Sequence, residues 1–329
     1  MSQKPAIATL TTVMALLCIA LPAAESQQAK KVYRLGILSP ASAPAPEDRS
    51  YVYVLVPSAL RELGYVQGQN LHIESRFAAG KREGLAELAR ELVRLRVDLI
   101  LAVGEAVGAA KEATKTIPIV MADRDPIGHG YVASLARPGG NITGITLSET
   151  GLADKRLELL KAIVPRATRI ALLTDFAEGA ATQLEEARTA SPRLGIAPVV
   201  VEVAGSDYPS AFARMVTARA SALTVLSSPV LYRDRKQIIA LAARHRLPTI
   251  YQFREHAEDG GLMAYGSNLS ELSRRLATYV DRIFKGASPA ELPIEQPTRY
   301  ELVINLKTAQ TLGLELPQSL FIQADHVIR

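Results

Sequence analysis

From residue 32 onward, short apolar runs alternate with stretches in which apolar residues recur every three or four positions. The runs at 32–38, 70–77, 98–103, 118–122 and 142–147 have the length of strands, and helical patterns lie between them at 51–63, 82–95 and 106–115. In the second helical stretch Leu85, Leu88, Ala89, Leu92 and Leu95 share one face. A second series predicts helices at 154–163, 179–190, 210–218 and 233–245 and strands at 169–174, 197–203, 222–227 and 248–253. Strand, helix, strand at this rhythm predicts an α/β fold whose parallel sheets are covered by helices on both faces. The junction at 147–152 is short and contains no flexible linker, so two lobes joined by a hinge are expected. The tail reads as strand 262–265, helix 269–284, strand 300–304 and helix 306–312. Its simplest path returns to the first lobe and then crosses to the second, each sheet gaining one late strand. The lobes would then be 32–147 plus 261–295, and 150–258 plus 299–329.

Residues 1–30 follow a different pattern, with Lys4 ahead of an apolar run at 6–21 and then small and polar residues. The run includes Thr9, Thr11 and Thr12 and falls short of the roughly 20 apolar residues that a spanning helix needs. Residues 1–24 are therefore read as a signal peptide cleaved near Ala23 or Ala24, which sends the mature chain to the periplasm without stable membrane insertion. Cys18, the single cysteine, falls within the removed segment, and Leu17 before it is too large for a lipoprotein signal. A chain of 329 residues with 48% hydrophobic and 22% charged residues has the composition of a globular protein of about two domains. The 38 Lys and Arg against 33 Asp and Glu leave a net charge of +5, spread too thinly for a nucleic-acid surface.

Motifs for covalent or cofactor chemistry are missing. There is no Gly-x-Ser-x-Gly elbow, and the stretch at 104–111 has the wrong spacing for a phosphate loop. SPASAPAPED follows the first strand where a dinucleotide fingerprint would need glycines. His72, His129, His245, His256 and His326 are scattered and read as surface or helix-end residues, so neither a metal nor a cofactor is expected. The remaining candidates lie at the carboxyl ends of the strands, where open α/β sheets bind ligands. In the first lobe these are Ser39 with Ser42, Gly104, Glu105, Asp123 and Asp125. In the second they are Thr174, Asp175, Phe176, Ser227 with Ser228, Gln252, Phe253 and Arg254, and Tyr265 follows in the tail. Small hydroxyls, carboxylates, an arginine and aromatics around a cleft suit a small polar solute. The bland readings stand beside this one: Asp123 and Asp125 as helix caps, Arg254 in an ion pair with Glu255, Phe176 and Tyr251 as core.

Five segments in order carry a family resemblance: RELGYVQGQNLHIESRFAAG (61–80), TIPIVMADRDPIGHGYVASLARPGGNITG (116–144), KRLELLKAIVP (155–165), ALAARHRLPTIYQFREHAEDGGLMAYG (240–266) and PTRYELVINLKTAQTLGLELP (297–317). Together they resemble the bacterial ABC-transporter substrate-binding proteins, a branch of the type I periplasmic binding proteins. The resemblance implies two Rossmann-like lobes joined by three crossings, near 147–150, 259–262 and 295–300, with solute held between them and closure recognised by an ABC permease. The chain departs from the family pattern at Thr174-Asp175-Phe176-Ala177-Glu178, where an Asn-Pro loop is common, and at Ala122-Asp123-Arg124, where glycines are common. Both changes fall at the expected cleft.

The expected function is a non-enzymatic, extracytoplasmic solute-binding protein that delivers an amino acid or similar carboxylate to a permease. Asp125 and Ser39 from one lobe and Thr174, Ser227 and Arg254 from the other are the expected anchors, with Arg254 taking a carboxylate. The alternative is an extracytoplasmic sensor that presents its ligand-bound state to a receptor. A transcription regulator of the same architecture would need a helix-turn-helix where the signal segment stands. An enzyme would need a nucleophile and base that cannot be named.

Overall fold

Hydrophobic runs buried on both faces build the first sheet. β1 (Tyr33–Ser39), α1 (Val52–Glu62), β2 (Leu71–Phe77), α2 (Leu85–Arg94), β3 (Leu99–Val103), α3 (Ala106–Ala113), β4 (Ile119–Asp123) and β5 (Ile142–Thr146) follow in chain order. The strands pair in parallel in the order β2-β1-β3-β4-β5, and every residue of β3, β4 and β5 is buried. Leu85, Ala89 and Leu92 of α2 supply the buried face that covers the sheet. The computed structural model describes residues 31–44, 52–147, 151–175 and 180–329, so the expected signal peptide, 1–24, lies outside the described residues.

The second lobe repeats the scheme with α4 (Leu152–Ile163), β6 (Arg169–Thr174), α5 (Ala180–Ala190), β7 (Ala197–Glu202), α6 (Tyr208–Thr217) and β8 (Ala222–Val225). It continues through α7 (Pro229–Arg233), α8 (Arg235–Arg244), β9 (Thr249–Tyr251), α9 (Arg254–Glu258) and β10 (Met263–Ser267). The tail contributes α10 (Leu269–Phe284), β11 (Tyr300–Asn305), α11 (Leu306–Leu312), α12 (Gln318–Gln323) and β12 (His326–Ile328). The second sheet has seven strands, in the order β12-β11-β10-β9-β8-β6-β7. Residues 32–329 form one compact unit.

One expectation about the sheets needs correction. The strand expected to complete the first sheet is β10, and it lies in the second: Met263 and Ala264 pair in parallel with Ile250 and Tyr251, and β11 runs antiparallel on the other side. The free edge of β5 is taken instead by Glu295, whose C=O accepts from the Thr146 N–H (2.8 Å) and whose N–H donates to the Gly144 C=O (3.1 Å). The helix expected at 233–245 is α8, at 235–244, set off from α7 by Asp234, whose carboxylate accepts from the Tyr208 hydroxyl (2.7 Å) and the Arg233 guanidinium. Ser228 starts the separate α7, accepting from the N–H groups of Val230 and Leu231, with Pro229 at the first helical position.

The chain passes between the sheets three times: after β5, at Asn268 between β10 and α10, and between Glu295 and β11. The second passage therefore falls later than the expected 259–262. At Asn268 the side chain caps α10 by accepting from the Glu271 N–H (3.0 Å). Leu269, Leu272, Leu276, Val280 and Ile283 then bury against the first lobe, beside α1. At about 1.5–3 kcal/mol for each such side chain, this face is enough to fix the tail on the first lobe.

Candidate functional site

The cleft is built from the carboxyl ends of strands in both lobes. From the first come Val103 and Gly104 after β3, Ala122, Asp123 and Arg124 at the end of β4, Ile145 and Leu147 at β5, and Tyr53 of α1. The amino-terminal half of α10 adds Leu269, Leu272 and Leu276. The second lobe faces them with Ser227, Ser228, Pro229, Tyr232 and Phe253. These residues line a partly open cleft with a cavity volume of about 80 Å³. Most of the surface is apolar, and Tyr53, Tyr232 and Phe253 belong to one continuous cluster with Val103, Ala122 and Ile145.

Polar groups concentrate after β4. Asp123 is 2% exposed, and its Oδ1 accepts from the Asp125 N–H (2.9 Å) and lies 2.9 Å from His129 Nδ1. The next residue, Arg124, has its C=O fixed by the Thr146 hydroxyl (3.1 Å). On the facing side the Ser227 N–H donates to Gln183 Oε1 (2.9 Å), and the Gln183 amide donates back to the Ser227 C=O (3.2 Å). The two lobes touch beside these groups. Arg233 donates to the Ser42 hydroxyl, and a Cβ placed on Gly104 would lie 3.5 Å from Pro229 Cγ.

Of the residues singled out in the sequence, Gly104, Asp123, Ser227, Ser228 and Phe253 line the cleft. Ser39 is fully buried under the end of β1, where its hydroxyl accepts from the Ala41 N–H (3.1 Å). Glu105 pairs with Arg82 at 2.8 Å. Asp125 turns back to accept from the Gly128 N–H (2.8 Å), capping a turn rather than a helix. Thr174 is buried at the end of β6, and Asp175 accepts from the Ser228 hydroxyl. Arg254 faces Glu258 (3.1 Å) and Glu301 (3.3 Å), so its charge is met by two carboxylates away from the cleft lining. Tyr265 packs against Tyr300 at 6.3 Å. Phe176 lies outside the described residues.

The residues passed over are Arg124, Tyr53, Tyr232 and His129. Arg124 stands between two aspartates that drew attention instead, and His129 meets Asp123, six residues earlier, a spacing that carries no helical signal. His129 and His256 are not surface residues: the His129 side chain is 18% exposed and His256 is 1% exposed.

Residues 49–328 match the family described as ABC transporter substrate binding protein. The chain belongs to this family. Two lobes, two largely parallel sheets and an interlobe cleft are what a type I periplasmic binding fold requires. The substrate-binding protein is 25% identical over 260 residues to a tyrosine-binding protein of Clostridioides difficile, covering 78% of this chain and 75% of the relative. A Streptococcus pneumoniae ABC domain solved with L-Trp matches at TM-score 0.78 and 26% identity, covering 91% of this chain and all of that one (100%). A conserved domain protein of Vibrio cholerae shares the fold at TM-score 0.81 and 24% identity, covering 90% and 100% of the two chains. Among the described residues, no helix of the substrate-binding protein is long and apolar enough to cross a membrane.

Proposed function

We propose that this substrate-binding protein works outside the cytoplasm, holds an aromatic amino acid or related aromatic carboxylate in the interlobe cleft, and delivers it unchanged to an ABC permease. The observation that carries this reading is the division of the cleft: aromatic and aliphatic walls from both lobes, with Asp123 and Arg124 adjacent at the end of β4. A flat apolar body fits the walls, a carboxylate pairs with Arg124, and an ammonium pairs with Asp123. A sugar, with hydroxyls around its whole rim, would leave polar groups against Tyr53, Phe253 and Leu272. The similarity to an L-Trp-bound structure and to a tyrosine-binding relative supports the same class. Because ligand touches both lobes, it binds the closed arrangement best and shifts the population toward it. That closed form is what a permease would recognise.

Isothermal titration of wild type, Arg124→Ala and Asp123→Asn with L-tryptophan and L-tyrosine tests the reading. Loss of a charge-assisted bond weakens affinity by about tenfold to a hundredfold in each variant. Unchanged affinity in both would remove these two anchors.

A further inference from the structure

The second-lobe wall of the cleft does not stand alone. Phe253 and Tyr232 meet edge to face, with centroids 5.5 Å apart and planes at 86°. Behind them lies His256, a residue of the short α9 that is 1% exposed. Its ring lies nearly parallel to Phe253 (6.2 Å, 18°) and meets Tyr232 edge to face (5.4 Å, 76°). On its other side it stacks on Tyr251 (4.8 Å, 19°), itself 1% exposed. The grip on Phe253 is also through the backbone, because both the His256 N–H and Nδ1 lie 3.0 Å from the Phe253 C=O. The Gly261 N–H donates to the His256 C=O (2.8 Å), and a Cβ on Gly261 would lie 2.7 Å from the Tyr251 ring. Tyr232 is held from a third direction by the Arg235 guanidinium, 4.6 Å from its ring centroid.

We infer that His256 is a positioning residue for ligand selectivity: stacked between Tyr251 and Phe253, it fixes the two rings that face the ligand, and so sets the preference for planar over puckered side chains. A ring wall discriminates between a flat and a puckered ligand only if its own rings cannot tilt. Packed aromatic pairs carry geometric preference beyond the area they bury. Burial holds the His256 ring neutral, so it packs as a flat ring without bringing a charge behind the wall. The inference rests on the reading of the cleft as a site for aromatic solutes.

Matched probes test it in the full chain: L-phenylalanine against L-cyclohexylalanine, and benzoate against cyclohexanecarboxylate. Each pair keeps the charged end and changes only the flatness of the ring. Wild type is expected to prefer the planar member. His256→Asn keeps a side-chain donor but removes the ring, and should cut that preference about threefold to tenfold. His256→Phe keeps the ring and should retain the preference within about twofold. Tyr251→Leu, which removes the far side of the stack, is the second variant if His256→Asn does not fold, and the same loss is expected. Failure of wild type to bind any planar probe overturns the aromatic reading and this inference with it. Wild-type binding with an unchanged ratio in His256→Asn or Tyr251→Leu, or an equal fall for both members of a pair, overturns the role of His256 alone.

Discussion

Glu255 and His256 are neighbours on α9 with opposite responses to burial. Desolvation pushes the Glu255 carboxyl up to about 7, and its Oε2 has no hydrogen-bond partner among the described residues. The same cause pushes His256 down to about 3. A raised carboxyl contributes stability that is complete below its ordinary value near 4.5 and is lost as pH rises through about 7. A depressed histidine contributes stability that is complete above its ordinary value near 6.5 and is lost as pH falls toward 3. Between those ordinary values the two oppose each other, so the melting temperature should peak in mildly acidic solution. Glu255→Gln is expected to raise the melting temperature at pH values above 7 relative to wild type and to leave the acid limb intact. Calorimetry against pH checks this, and an unchanged alkaline limb would show that Glu255 is ionised at little cost. Single residues were also where the sequence was hardest to read. Arg254 was chosen for its charge beside Phe253, and Glu258, one helical turn on, was a legible partner, while Glu301 comes from a distant strand. Asp123 was legible from its place at a strand end, whereas Tyr53 lay within an expected helix and Tyr232 lay between an expected strand and an expected helix, neither marked as a cleft residue.

Elements were read better than their neighbours. β6, α10 and α11 have the predicted bounds because their apolar periods are clean and polar or glycine positions end them. The short α7 was hidden because five residues are too few to show a helical period. β10 was found as a strand and assigned to the wrong sheet, since the four-residue apolar run at 262–265 says nothing about its partner. One element contact gives a sharp prediction. Gly144 in β5 has φ +138°, and a Cβ there would lie 2.2 Å from the Met121 C=O of β4. Gly144→Ala should destabilise the first lobe by at least about 1–3 kcal/mol, the cost of such backbone strain, measured by urea denaturation. Wild-type stability in this variant would mean that β4 and β5 can separate without cost.

At the scale of the whole molecule, two lobes around one cleft were legible from the repeated strand and helix rhythm, and the late return of α10 to the first lobe gives the cleft one of its walls. The contacts that close it were not legible, because they join loops distant in sequence. Arg233 and Ser42 are 191 positions apart, and the hydrogen bond between them bridges the lobes beside Gly104 and Pro229. Removing the hydroxyl in Ser42→Ala should loosen closure without disturbing Arg233 and Asp234. Ligand affinity is then expected to fall by about threefold to tenfold, and the unliganded chain to show a larger radius of gyration in solution scattering. Affinity and radius both unchanged would remove this contact from the closing mechanism. The aromatic cleft itself is tested most directly by calorimetric titration of the wild-type chain with L-tryptophan, L-tyrosine, benzoate and D-ribose under one set of conditions. Saturable binding of at least one aromatic acid and none of ribose is the predicted result; ribose binding with no heat from any aromatic acid would contradict it.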